Sequence, residues 1–312
     1  MQLIVMLLGT VAILTFLSGL ITFFGAKKGD RVRSAWFFAA AIFATIWMSS
    51  IMFFMAAGPE KVSTIDWHTK WVFVSAILID IAFLGYVTWK EKYGKYITFF
   101  FLIIGAIISA FIFAKSDSIY NAIILSVTGN SIVLNLGALY IAYILFFCAI
   151  VPAIVVTLIK QYTKTRSTRK RGGDLVIMIS FALSSLLIII SEVILPIMGN
   201  WNLIWIGPLA LSVTIIAFYY TILRYRALNL SSIWLKVFSY IVILASIAIV
   251  YMVIFALIFA ALFRGSAPSA EVIILNFIMI MIFLVLIPAT NELYVHIKSL
   301  ISDQQPKTKE AK

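Results

Sequence analysis

Gly207-Pro208-Leu209-Ala210-Leu211-Ser212-Val213-Thr214-Ile215-Ile216-Ala217-Phe218-Tyr219-Tyr220-Thr221-Ile222-Leu223-Arg224-Tyr225-Arg226 decides what medium this chain folds in. No charged residue stands between Pro208 and Arg224. At ~1.5 Å rise per residue, an apolar helix over 203–223 is long enough to cross a bilayer. Proline is tolerated near the start of a helix, where its missing N–H has no partner to lose. Arg224, Tyr225 and Arg226 form a basic and aromatic stop, and that charge places this end in the cytoplasm.

The rest of the chain repeats the theme. Apolar residues make up 63% of its 312 residues and charged residues 12%. A soluble domain carries roughly 45–50% apolar and about 25% charged residues, so this is an integral membrane protein. Hydropathy and length predict an all-α polytopic bundle of nine membrane helices, at 2–25, 34–57, 71–89, 97–114, 132–159, 174–197, 203–223, 235–263 and 271–296. The shortest, 97–114, has a buried half-helix as its alternative.

The net charge of +12 is a matter of topology, not of nucleic-acid binding. Of the 24 Lys and Arg residues, only Lys61, Lys70, Lys115 and Arg264 fall in even-numbered loops. The others sort to the odd-numbered loops and the tail, which predicts an N-terminus outside and a C-terminus in the cytoplasm. An odd number of spans follows. The basic loops also suit anionic lipid headgroups. The first span has no charged segment before it, which suits a retained helix rather than a cleaved signal peptide. Cys148, the lone cysteine, excludes an intrachain disulfide and reads as a packing residue.

Connections are short, as lipid demands of any backbone that is not helical. Residues 58–70 and 115–131 form the two larger outer loops. The apolar patch Ala122 to Val127 in the second reads equally as a strand of a lid or as an interfacial helix. Gly172-Gly173 is expected to break the helix ahead of the sixth span. The polar stretch from 298 to 312 reads as a cytoplasmic tail.

Three stretches carry a family resemblance. They are Arg33-Ser-Ala-Trp-Phe-Phe through Trp47, then Arg169-Lys-Arg-Gly-Gly-Asp-Leu, and finally Ile206-Gly-Pro-Leu with Tyr219-Tyr-Thr-Ile-Leu-Arg-Tyr-Arg-Ala-Leu-Asn-Leu. They resemble the second, sixth and seventh helices of the seven-helix sensor region at the N-terminus of bacterial histidine kinases. The resemblance covers roughly residues 1–230. Residues 231–297 resemble the extra helix pair that some such kinases place before their catalytic part. It implies a sensor in a bacterial cytoplasmic membrane. The kinase itself is not expected. His296, in Tyr-Val-His-Ile-Lys-Ser, lacks the acidic neighbour and downstream proline of a phosphoacceptor, and no Gly-rich phosphate loop follows. A stand-alone relative of the sensor region is the expectation, with a separate kinase or other cytoplasmic protein as its partner.

Two carboxylates inside spans are the sharpest chemical signals, because a charge at the bilayer centre costs several kcal/mol. Asp80 lies in Ala-Ile-Leu-Ile-Asp-Ile-Ala-Phe and Glu192 in Ile-Ile-Ser-Glu-Val-Ile-Leu-Pro. Counted from the outer ends of spans three and six, Asp80 is ~13 Å deep and Glu192 ~6–7 Å. No Lys or Arg matches their depth. Each is therefore protonated, hydrogen-bonded, or waiting for a cation. A ligand site shared with Asn135, Trp205 and Tyr219 is one expectation. Carboxyls that merely hold helices together are the other. Trp67, Trp71, Trp201 and Trp205 suit an aromatic belt. Trp47, Tyr86, Tyr140 and Tyr143 suit either core packing or a pocket wall. His68, beside Asp66 and Glu60, reads as part of a solvated loop. Two histidines and one cysteine build no familiar zinc or haem site. No cofactor, metal or catalytic set is expected.

Three functions fit. The first is a non-enzymatic sensor that binds a small or lipophilic signal on the outer side and passes it through Arg224, Tyr225 and Arg226. The second is a transporter or channel that uses the two carboxylates. The third is a structural or assembly subunit.

Overall fold

The computed structural model describes residues 2–56, 62–89, 91–115, 119–125, 132–165, 168–198 and 203–225. These residues are helical apart from one β-hairpin. The helices are α1 (Gln2–Phe24), α2 (Arg31–Ala56), α3 (Val62–Thr88), α4 (Gly94–Ala114), α5 (Ala138–Lys164), α6 (Thr168–Ile189) and α7 (Ile206–Tyr225). Six are long and apolar enough to cross a membrane, and Ile206–Ile222 is a shorter apolar helix. The expected spans at 235–263 and 271–296 lie outside the described residues.

Short joints make successive helices antiparallel neighbours. One end of the bundle carries the hairpin, and the other carries the basic joints around Lys27, Lys92 and Lys164. α3 is the central helix and packs on α2, α4 and α5. Leu78 is the one residue from Val72 to Thr88 that is not buried. α4 shows the opposite pattern. Gly94, Thr98, Phe101, Gly105, Ile108 and Ile112 form one buried stripe, while Phe99, Phe100, Ile103, Ile107 and Phe111 stay exposed. A helix with one packed stripe and an otherwise apolar surface suits contact with hydrocarbon on its far side. The expected span at 97–114 is thus a full-length helix, and the alternative of a buried half-helix falls away.

Small residues set the helix spacings. A Cβ on Gly19 would stand 2.5 Å from the Ala41 Cβ, and one on Gly85 would stand 2.5 Å from the Trp36 ring. These close approaches bring α1 to α2 and α3 to α2.

Three boundary expectations are corrected. α3 starts at Val62, so Asp66, Trp67, His68 and Lys70 are helical, not loop. The Asp66–Lys70 ion pair at 2.9 Å has i,i+4 spacing, and Trp67 and Trp71 both pack on Phe113. His68 stacks on Phe53 at 4.8 Å.

The fifth span begins at Ala138, because Ile132–Leu136 is a strand. It pairs antiparallel with Tyr120–Leu125, so the patch at Ala122 takes the strand reading. Both segments are rich in β-branched residues, which favour a pleated surface. Asn135 pairs with Ala122 in this ladder and does not start a helix. The Gly137 N–H donates to the Ile119 carbonyl at 2.8 Å, closing the base of the hairpin. The Tyr120 hydroxyl donates to the Asp66 carboxylate.

Gly172 and Gly173 do not break α6 but lie within it. A helical Gly costs about 1 kcal/mol. Here Gly173 is buried, and Arg171 stands 4.5 Å from the Tyr162 ring.

Beyond Ile189, α6 widens into a π turn at Ile190–Ile194 before one last α turn at Leu195–Ile197. In the π turn the Leu195 N–H donates to the Ile190 carbonyl, five residues back. Pro196 has no N–H for the carbonyl of Glu192, so the regular ladder is interrupted at that residue.

Candidate functional site

Glu192 stands at the centre of the π turn, where an interrupted helix turns a side chain out of register. Its carbonyl, deprived of a helical donor by Pro196, accepts from the Tyr140 hydroxyl of α5 at 2.8 Å. Its carboxyl lies against the first turn of α7. A Cβ on Gly207 would stand 2.6 Å from Glu192 Oε1 and 3.1 Å from Ser191 Oγ. Gly207 therefore gives the carboxyl its room. Glu192 is 5% exposed, and Oε1 has no hydrogen-bond partner among the described residues.

Asp80 presents the same chemistry from α3. It is 7% exposed, and Oδ2 has no hydrogen-bond partner among the described residues. Seven residues make nearly two helical turns, so Asp80 shares a face with Phe73. Phe73 packs edge-on against Tyr143 at 5.1 Å and Tyr140 at 6.0 Å. One turn further along α3, Phe83 meets Phe181 of α6 and Phe218 of α7. The Asp80 face of α3 is thus turned toward α5, α6 and α7. Counted from the true start at Val62, Asp80 stands ~27 Å along its helix, and Glu192 ~7–8 Å from Ile197.

Tyr143 connects the two. It lies within electrostatic range of Glu192, Tyr140 and Asp80. Its ring stacks on Tyr140 at 5.9 Å and packs on Phe147 at 4.8 Å. Tyr140 is thus bonded to the Glu192 backbone, and Tyr143 beside it also lies within electrostatic range of Asp80. No Lys, Arg or His bonds either carboxyl among the described residues, where the buried Lys70 is paired with Asp66. No group of three or more metal-ligating side chains occurs among the described residues.

Trp205 is half-buried in the turn before α7, close in sequence to Gly207. Tyr219 is fully buried but lies ~18 Å along α7 from Gly207, at the level of the Phe83 and Phe218 contact. Asn135 sits in the hairpin. Arg224 and Tyr225 end α7, and Arg226 lies outside the described residues.

Phe73, Pro196 and Gly207 were not singled out for the site in the sequence. Pro196 carried a usable signal, since a proline four residues after a buried Glu frees that residue's carbonyl. Gly207 and Phe73 carried none, because only packing shows what they touch.

A second polar cluster closes the basic end. Arg33 of α2 donates through Nε to the Tyr86 carbonyl at 3.1 Å, with its guanidinium 4.3 Å from the Tyr86 ring. Gln161 of α5 donates to the Val87 carbonyl and accepts from Arg33 at 3.4 Å. The hydroxyls of Thr88 and Thr98 bond at 2.8 Å. The Tyr86 and Val87 carbonyls, near the end of α3, thus accept from side chains of α2 and α5, and the Thr88 carbonyl accepts from the Glu91 N–H.

Comparison with family models, with curated proteins and with solved structures yields no match for this chain.

Proposed function

We propose that this chain is a multi-pass membrane sensor that takes up a small or lipophilic signal between α3, α5, α6 and α7. The reading has nine spans, an N-terminus outside, a cytoplasmic C-terminus and a bacterial inner membrane. The resemblance of Arg33 through Trp47 and of Ile206 through Leu230 to the kinase sensor region supports it. One observation carries it. Asp80 and Glu192 each bury a carboxyl oxygen that no described residue bonds, and both lie within electrostatic range of Tyr143. A buried polar atom left unpaired costs free energy, and a ligand that pairs it recovers that cost. Such sites favour the helix arrangement that best fits the ligand, which is how binding becomes a signal. Arg224, Tyr225 and Arg226 would then pass the change to a separate cytoplasmic partner, with no kinase activity in the chain itself.

The test uses the full chain in detergent, with unfolding temperature read against a library of small amphiphiles. Asp80→Asn and Glu192→Gln should fold and lose the stabilisation that a hit confers on the parent. Equal responses from both variants and the parent would sink the site. The same carboxyls support a second reading, loading of a proton or cation for transport. Ion-driven uptake in proteoliposomes, abolished by Asp80→Asn, would decide for it.

A further inference from the structure

We propose that the joint between α3 and α4, with the outward face of α4 beneath it, is a docking surface for one anionic phospholipid. Lys92 and Lys95 hold its phosphate, and an acyl chain lies along α4.

The joint reads Trp89-Lys-Glu-Lys-Tyr-Gly-Lys-Tyr96, in which basic and aromatic residues surround one acid. That acid is already engaged, since Glu91 pairs with Lys164 of α5 at 3.2 Å. Lys92 and Lys95 are exposed, and neither has a carboxylate partner among the described residues. Aromatic rings hold them instead. Lys95 Nζ stands 4.9 Å from the centre of the Trp89 ring, and Lys92 Nζ 5.4 Å from that of Tyr93. A ring covers one side of an ammonium and leaves it N–H donors for an anion. The joint itself is fixed. The Glu91 N–H donates to the Thr88 carbonyl at 2.9 Å, and the Gly94 N–H to the Glu91 carbonyl at 3.1 Å. The hydroxyls of Thr88 and Thr98 then tie the end of α3 to the first turns of α4. Two cations are thus presented from a set position at the basic end.

Charge alone would suit any acidic partner. The helix below the joint selects a lipid. Lys95 and Phe99 stand one turn apart on one face of α4. Beside them Tyr96, Phe100, Ile103 and Ile107 follow one another at helical spacing and form a single ridge. These four side chains are 75%, 59%, 45% and 52% exposed. From Tyr96 to Ile107 the ridge runs ~16 Å, close to half of a hydrocarbon core ~30 Å thick. It is therefore one leaflet long, the reach of an acyl chain whose phosphate meets the lysines. Tyr93 and Tyr96 are exposed at the level where rings meet headgroups. A water-soluble acidic protein would leave the ridge uncovered. A phosphatidylcholine carries its own cation beside the phosphate and gains less from the lysines. A net negative headgroup on an acyl chain matches both parts of the surface.

The full chain in a neutral detergent is titrated with phosphatidylglycerol or phosphatidylcholine, and bound lipids are counted by native mass spectrometry. One phosphatidylglycerol should bind ahead of further copies and ahead of phosphatidylcholine. Lys92→Gln with Lys95→Gln should weaken that first binding by roughly tenfold or more. Lys92→Arg with Lys95→Arg keeps both charges and should retain it. Lys27→Gln with Lys160→Gln removes as much charge from other exposed positions at the same end, and should leave it unchanged. Glycerol 3-phosphate, which has no acyl chains, should not displace the lipid at equal concentration.

Equal binding of the two lipids would overturn the proposal. So would equal losses from the two pairs of glutamine substitutions, because the charge would then act through the whole surface. Displacement by glycerol 3-phosphate would overturn the part played by α4 and leave a phosphate site without a lipid. If the spectra show two copies that hold together without lipid and separate on Phe100→Ala, the ridge is an interface between copies and the lipid proposal falls.

Discussion

At its basic end, α3 is clasped to its neighbours. The Tyr86 carbonyl accepts from Arg33, the Val87 carbonyl accepts from Gln161, and the Thr88 hydroxyl is bonded to that of Thr98. About two turns back toward the hairpin, Asp80 keeps an oxygen that nothing among the described residues bonds, and Glu192 of α6 does the same. The same helix thus uses polar groups as clasps at one end and leaves them unpaired in the interior. A clasp stabilises because each donor meets an acceptor. An unpaired buried oxygen destabilises, and persists where a function needs it free. The comparison separates two kinds of buried polar group in this bundle, bonded and unbonded among the described residues, which substitutions can tell apart.

The clasp should be the more fragile of the two. Gly94 is the sharpest point, since a Cβ there would stand 1.8 Å from the Thr88 carbonyl oxygen, which is backbone and cannot step aside. Gly94→Val should therefore cost about 3 kcal/mol or more of stability, read as a large fall in unfolding temperature. Arg33→Ala removes both the bond to Tyr86 and the ring contact. Its cost should be about 1–2 kcal/mol, measured in the same way. A loss no larger than that of a surface change would break the comparison.

Tyr140→Phe sits between the two regimes. Pro196 has no N–H to offer the Glu192 carbonyl, and this change removes the hydroxyl donor as well. A loss of about 1 kcal/mol is expected, near the usual worth of a hydrogen bond between membrane helices. Amide exchange at Leu195 and Ile197 should rise in step. The smallest effect belongs to Lys164→Ala. Its ion pair with Glu91 at 3.2 Å is mostly exposed, so stability should move by less than about 0.5 kcal/mol. Set beside these, Asp80→Asn and Glu192→Gln should leave stability level or raised, because each replaces a buried acid with an oxygen that no described residue bonds. If either instead costs as much as Arg33→Ala, its carboxyl is another clasp and the contrast fails.

Much of the helical scaffold was legible from hydropathy. α1, α2, α4 and α7 fall within a few residues of the expected spans, because each is one uninterrupted apolar run between charged or small residues. The errors concentrate where a helix continues through polar sequence or stops inside an apolar one. Asp66 to Lys70 looked like loop until the ion pair and the Trp67 and Trp71 packing made it helical. Residues 132–136 looked like helix until pairing with 120–125 made them a strand. The Gly172-Gly173 pair looked like a break, and continuity of α6 outweighed it.

The site divides in the same manner. Asp80 and Glu192 stood out because a carboxylate in an apolar run is visible one residue at a time. Asn135 and Tyr219 were expected beside them, and the structure puts one in the hairpin and the other ~18 Å along α7 from Gly207.

What this sequence determines by itself is its medium and its outliers. Transfer free energy is a property of single residues, so 63% apolar composition and a few buried acids can be read directly. What only the tertiary structure decided is which outliers meet. That Tyr143 faces both Asp80 and Glu192, that Pro196 hands the Glu192 carbonyl to Tyr140, and that Gly207 makes room for a carboxyl are facts about pairs of residues far apart in the chain. Pairing depends on helix rotation and register, and in lipid these are set by close packing between small residues rather than by hydrophobicity, which is nearly uniform around every span.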